Sequence, residues 1–142
     1  MGTQYFRNRP EIILQRGPVI PVGIGNPVEI TGDQIEMKGE LCNALVDTGA
    51  HSGMINPSLA KRLNLPVHGF TKFSSASHDD VDAKVYVVSL FFPPPLATVY
   101  TVQLSEAPRD FTNHHLIIGR DIISKWHITF DLNQGRYSIS TV

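Results

Sequence analysis

The sequence predicts an all-β domain, a closed barrel or sandwich with one projecting hairpin and one or two short helices. Three observations carry this. Eleven glycines and ten prolines punctuate the 142 residues throughout. Short runs of β-branched and aromatic residues recur between them, and no long helical periodicity appears. The strongest run, Val85–Phe92 (VYVVSLFF), is apolar, aromatic and β-branched along its length.

Taken in order, strands are expected over Glu11–Leu14, Val19–Ile24, Val28–Ile30, Ile35–Leu41, Asn43–Val46, Lys84–Phe92, Thr98–Leu104, Leu116–Ile118, His127–Asp131 and Arg136–Ile139. Residues 1–10 read as a flexible N-terminal segment and 11–142 as one domain, with no repeat and no linker inside it. Asn56-Pro57 pairs a helix N-cap with proline at the first helical position, and Leu59 and Leu63 follow on one face. A second short helix is expected in RDIISKW, where Ile122, Ile123 and Trp126 fall at helical spacing as core. Phe73–Ala83 (FSSASHDDVDA) is small and polar and reads as an exposed hairpin tip able to move. Pro93–Ala97 reads as a stiff connecting bend.

Bulk properties exclude several function classes. A net charge of -1 gives no electrostatic case for nucleic acid or an anionic membrane. Apolar runs are too short to span a bilayer, and Met1–Pro10 lacks the apolar centre of a signal peptide. A single cysteine, Cys42, forms no internal disulfide and reads as a small buried hydrophobe. The expectation is a soluble, cytoplasmic protein. Adjacent His114 and His115 lack the spacing of a helical zinc pair, so neither metal nor cofactor is expected. Ser52 and Ser58 lie near His51 without the glycine-flanked elbow of a serine hydrolase.

One stretch stands apart. In Ala44–His51 (ALVDTGAH) a carboxylate follows directly on an apolar strand. A charge placed there must be hydrogen-bonded, paired or used. Gly49 permits a tight turn, Thr48 offers a hydroxyl, and backbone N–H groups after the turn can bond the carboxylate. An Asx turn with no further role would read the same way. Further on, Leu116–Ile123 (LIIGRDII) runs from apolar strand through glycine into Arg-Asp at the start of a helix.

The two segments, in this order, resemble those of the retroviral-type aspartic proteases, the retropepsin-like family, over roughly Ile20 to Ile139. The resemblance implies half of a twofold-symmetric aspartic protease. It implies Asp47 as the catalytic carboxylate, Thr48 bonding across the symmetry axis, and Gly49 accepting substrate backbone through its carbonyl. Ala50, His51 and Ile118 would line the substrate cleft with Ser75, Ala76, Ser77 and His78 of the flap. Gly119, Arg120 and Asp121 would support the active-site loop, with Arg120 bracing it, and the chain termini would build the dimer sheet. Tyr5-Phe6 would suit self-cleavage, beside its reading as plain tail.

Two departures stand out. Where many viral members carry a second acid after Asp-Thr-Gly-Ala, this chain has His51, so Asp121 or another acid must partner Arg120. The flap also lacks a glycine-rich tip.

The implied chemistry needs two carboxylates sharing one proton. The ionised one activates water, and the protonated one polarises the scissile carbonyl. Asp-Thr-Gly occurs once in the chain, so the second carboxylate must come from a second copy. The expected function is a homodimeric aspartic endopeptidase acting on peptide or protein substrates. The competing reading is a protease-fold domain used for dimerisation or peptide binding with little or no turnover. Ala50 cannot donate a hydrogen bond to the carboxylate as a serine there would, which points to activity at weakly rather than strongly acidic pH.

Overall fold

Six strands close into a barrel, and a further strand extends one of them into a hairpin arm. The computed structural model describes residues 2–27, 39–75 and 78–141, with 73–75 and 78–81 described by backbone alone. In chain order the elements are β1 (Thr3–Arg7), α1 (Pro10–Arg16), β2 (Val19–Gly25), β3 (Glu40–Val46), β4 (Met54–Ile55), α2 (Pro57–Arg62), β5 (Gly69–Ser75), β6 (His78–Phe92), β7 (Thr98–Glu106), β8 (Leu116–Ile118), α3 (Arg120–Ile123), β9 (Trp126–Asp131), the 3-10 turn η1 (Leu132–Gln134) and β10 (Arg136–Thr141). Round the barrel the strands run β2-β3-β8-β4-β7-β6, and β6 pairs back onto β2 to close the ring. Among the described residues β5 pairs only with β6 and forms the arm. A separate three-stranded sheet runs β1-β10-β9.

Alternation along the strands builds the core. Ile20, Val22 and Ile24 of β2 point inward with Cys42, Ala44 and Val46 of β3, and all are buried. Val88 and Leu90, Leu104, and Leu116 and Ile118 complete the interior from β6, β7 and β8. Burial pushes the Cys42 thiol up to about 12, leaving it unreactive. The smaller sheet is fastened by aromatic groups. Tyr137 donates its hydroxyl to the Val19 carbonyl at 2.6 Å, Phe6 stacks on Tyr137, and Trp126 stands edge-on to Phe92 with ring centres 5.0 Å apart. Among the described residues no helix is long and apolar enough to cross a membrane.

The structure departs from the sequence expectations at definite places. Glu11–Leu14 is helix, not strand. Pro10 occupies the first turn, Glu11 and Arg16 sit at the ends that suit the helix dipole, and Ile13 alone is buried while Leu14 is exposed. Thr3–Arg7, expected within a flexible segment, instead pair in register with Arg136–Ser140. The strand expected over Asn43–Val46 begins at Glu40. Val28–Ile30 and Ile35–Lys38 lie outside the described residues.

Asn56 precedes α2 as expected, yet its side chain makes no cap. It is buried, donating Nδ2 to the His114 carbonyl at 3.1 Å and accepting the Phe111 N–H at 2.8 Å. The cap comes from elsewhere, since Asp110 accepts the Ser58 N–H at 3.1 Å, and hydrogen bonding from the Ser58 side chain, then from this N–H, holds its carboxyl below the usual range.

His114 stacks on Phe111, and both its ring nitrogens are buried without a hydrogen-bond partner. Burial lowers its pKa, His115 lowers it further, and the Asp47 charge opposes them. The unfolded chain therefore binds this proton more readily than the folded one. The neutral imidazole's contribution to stability is complete above about 6.5 and is lost as pH falls below it. His114→Phe, which keeps the stack, should flatten the fall in melting temperature between pH 7.5 and pH 5. An unchanged fall would assign the acid sensitivity to other groups.

Candidate active site

β3 delivers Asp47 to the end of the barrel. β3 and β8 run parallel, with Ala44, Leu45 and Val46 beside Leu116, Ile117 and Ile118. The ladder continues past the strand, where the Asp47 N–H donates to the Ile118 carbonyl at 3.0 Å. The chain then turns tightly. The Ala50 N–H donates to the Asp47 carbonyl at 3.2 Å and the Gly49 N–H to Asp47 Oδ1 at 2.9 Å. That last bond is the Asx interaction expected of either reading, and it aims the carboxylate. A Cβ at Gly49 would stand 3.1 Å from the same oxygen, so a side chain there would push the carboxylate aside by a few tenths of an ångström. Asp47 and Ala50 are half-buried, while Thr48, Gly49 and His51 are exposed.

The second segment locks this loop from beneath. The Arg120 N–H donates to the Ala50 carbonyl at 2.9 Å, and the Asp121 N–H to that of His51 at 3.2 Å. Arg120 also reaches through Nη1 to the Thr48 carbonyl at 2.8 Å. Such approach requires Gly119, where a Cβ would meet Ser52 backbone atoms at 2.6–2.9 Å. The acidic partner expected for Arg120 is not there. Asp121 turns its carboxylate to the Ile122 N–H at 3.0 Å, and among the described residues no acid pairs with Arg120. With His51 beside it, the guanidinium is satisfied by a carbonyl instead.

Other expected site residues fall in different surroundings. Ile118, expected to line the cleft, is 1% exposed, so its side chain belongs to the core while its carbonyl holds the loop. Ser75 and His78 face each other at the end of the arm, beyond a break in register after Phe73. Ala76 and Ser77 lie outside the described residues. His114 and His115 point apart, since His115 Nδ1 accepts the Asn43 N–H at 3.1 Å while His114 lies on Phe111. Among the described residues no three His, Cys, Asp or Glu side chains gather closely enough to hold a metal ion.

A neighbouring hollow escaped the sequence reading. Pro18, Leu45, Val46, Asp47, Thr48, Phe130 and Leu132 line a space of about 360 Å³ beside the aspartate. The signal for it lies in β9, where Trp126, Ile128 and Phe130 alternate on one face and Leu132 extends that apolar row past the strand.

Comparison with known proteins bears on this geometry. A family model described as aspartyl protease matches residues 33–122, which include the Asp47 loop and Gly119–Ile122. Among solved structures, a retropepsin-like aspartic protease from Rickettsia conorii superposes with a TM-score of 0.66 at 12% identity, covering 97% of this chain and 89% of that one. At that identity the likeness is one of fold. No curated protein matches the sequence.

Because Gly119 has main chain pressed against it, Gly119→Ala should cost about 1–3 kcal/mol and lower the melting temperature by roughly 3–10 °C. Gly69→Ala is the control, since a Cβ there meets nothing within 4 Å. Equal melting temperatures for the two variants would show that the Ser52 contact yields without strain.

Proposed function

The chain belongs to the retropepsin-like aspartyl protease family, and on that premise we propose that it is a soluble, homodimeric aspartic endopeptidase. The observation that carries the proposal is the setting of Asp47. A single carboxylate stands half-open to solvent on a loop whose backbone is fixed at Asp47, Thr48, Ala50 and His51. A surface Asx turn has no need of such bracing. A group that must meet another carboxylate at hydrogen-bonding distance does.

In the proposed mechanism, a twofold axis beside Thr48 sets Asp47 against Asp47 of the partner subunit. Two carboxylates so close hold one proton between them and titrate as a pair. The ionised member takes a proton from water as it attacks the scissile carbonyl. The protonated member donates to the carbonyl oxygen, and a proton then passes to the leaving amine as the tetrahedral intermediate collapses. No covalent enzyme intermediate and no cofactor is needed. The exposed Thr48 hydroxyl would bond across the axis, and the Gly49 carbonyl and His51 would hold an extended peptide as an added strand. The β5–β6 arm would close over it, with Ser75, Ala76, Ser77 and His78 as the proposed substrate contacts.

Two tests follow. A peptide-library digest with wild type and Asp47→Asn should show cleavage that falls by about 10²–10⁴-fold in the variant. Specific activity should also fall on dilution together with the mass in solution. Full activity in a demonstrated monomer would sink the shared dyad, and peptide binding without cleavage by either protein would favour the non-catalytic module. For pH, activity should peak at weakly acidic values. Ala50→Ser should carry the acidic limb lower by about one unit, the worth of one added hydrogen bond to a charged group. A wild-type optimum already strongly acidic would contradict this.

A further inference from the structure

The outer face of the small sheet carries a charge that the fold leaves unanswered. Register sets Arg7 of β1 directly opposite Arg136 of β10, and Asp131 of β9 stands on the other side of Arg136. Side chains opposed in this way have Cβ atoms about 5 Å apart, and like charges so placed repel. Arg136 is relieved by Asp131, which it reaches at 3.0 Å. Arg7 is exposed, and among the described residues no acid pairs with it. Tyr5 shares that face two residues earlier and is 78% exposed. Tyr5, Arg7 and Arg136 border a hollow of about 530 Å³ with Ser138 and Thr129 between them.

Two further features belong to the same strand. β1 pairs with β10 along one side, and among the described residues its other side meets no strand. Such an edge presents main-chain N–H and C=O groups to any chain laid beside it. On the inner face, Gln4 and Phe6 line a second hollow of about 50 Å³ with Pro21, Phe92, Pro94 and Leu96. Gln4 aside, its wall is apolar, and it has room for one small side chain. β1 therefore has a charged hollow on one face and an apolar hollow on the other. The hollow beside Asp47 shares no lining residue with either.

We infer that β1 is a docking edge for an extended acidic segment of another protein. The segment adds as a strand and bonds β1 through its main chain. Side chains of an added strand alternate between the two faces. One that falls opposite Arg7 lies on the outer face, where a carboxylate meets the guanidinium through charge-assisted bonds. Its neighbour falls opposite Phe6 on the inner face, where a small apolar group enters the smaller hollow. The next lies against the Tyr5 ring. The chemistry selected is therefore acidic and small apolar residues in alternation. A nucleic acid would bring the negative charge without the main-chain donors or the alternation. The docking edge does not depend on the catalytic proposal.

Fluorescence anisotropy with a fluorescein-tagged peptide, Thr-Asp-Val-Asp-Val-Asp-Thr, tests the edge. The full chain carrying Asp47→Asn is used, so that the probe stays whole. The peptide should bind, and its dissociation constant should rise with salt and rise at least tenfold in Arg7→Glu. Lys61→Glu, exposed on α2, makes the same change of net charge and should leave binding within about twofold. Replacing the aspartates of the probe by lysine, or one valine by proline, should abolish binding. Since Arg7→Glu places an acid opposite Arg136, its melting temperature should hold or rise, as it would not if Arg7 served stability. Should that variant misfold, the peptide variants decide alone. Equal weakening by Arg7→Glu and Lys61→Glu overturns the edge in favour of general charge attraction. So does a proline peptide that binds as well as its parent. Unchanged binding by Arg7→Glu places the peptide elsewhere and overturns it too. An Arg7→Glu chain whose mass in solution changes would assign the edge to a second copy. An oligothymidine that binds through Arg7 where the peptide does not would make the face a nucleic-acid surface. Absence of peptide binding at millimolar concentration ends the inference.

Discussion

Everything at the site depends on one main-chain lock, in which residues 118–121 hold residues 47–51. Ile118 accepts from Asp47, Ala50 accepts from Arg120, and His51 accepts from Asp121. These are backbone bonds, so they fix the loop whatever side chains surround it. Two side-chain features complete the lock, the hydrogen at Gly119 and the guanidinium that reaches Thr48. The barrel serves this contact. β3 and β8 must lie parallel for the two segments to leave their strands side by side, and β4 pairs with β8 on its other edge. A carboxylate proposed to meet a second one at hydrogen-bonding distance is better placed by a sheet than by a free loop.

The lock was legible in the sequence because both its halves are short, local and chemically unusual. An aspartate after Ala44, Leu45 and Val46 reads alone as an ordinary Asx turn would, and it is Gly-Arg-Asp after Leu116, Ile117 and Ile118, in that order, that gives the pair its resemblance to the aspartic proteases. The long strands were legible too, since Val85–Phe92 is a β-branched and aromatic run buried almost throughout and Val19–Ile24 buries Ile20, Val22 and Ile24. What the sequence hid was of two kinds. Glu11–Leu14 is too short to separate a period of two from one of 3.6, and its decisive residue, Pro10, stands outside the run. Asn56, Asp110 and Ile118 were hidden because their partners are distant in sequence. Asn56 looked like a cap and is a buried tie between Phe111 and His114, while Asp110 does the capping. Ile118 shows the limit of transferring a role by position, for its carbonyl faces the loop while its side chain packs away in the core.

The small sheet changes what association means for this chain. Its strands find their partners inside the chain, and Tyr137 and Trp126 fasten it to the barrel through Val19, Tyr100 and Phe92. A single copy is therefore a folded body with an unfinished edge. In the proposed dimer, association would dock two preformed bodies and carry little ordering cost beyond lost translation and rotation. Assembly can respond to concentration without unfolding either partner.

The same sheet joins the two ends of the chain. The Thr3 and Ser140 hydroxyls meet at 2.9 Å, 137 positions apart, and among the described residues β1 pairs only with β10. During synthesis the barrel strands emerge from the ribosome well before β1 has anything to pair with. The β9–β10 hairpin is the last described element to appear, and only then can the first strand close. Pairing of β1 thus waits on the synthesis of β10. A nascent chain can hold its Asp47 loop nearly formed while β1 still waits for its partner strand.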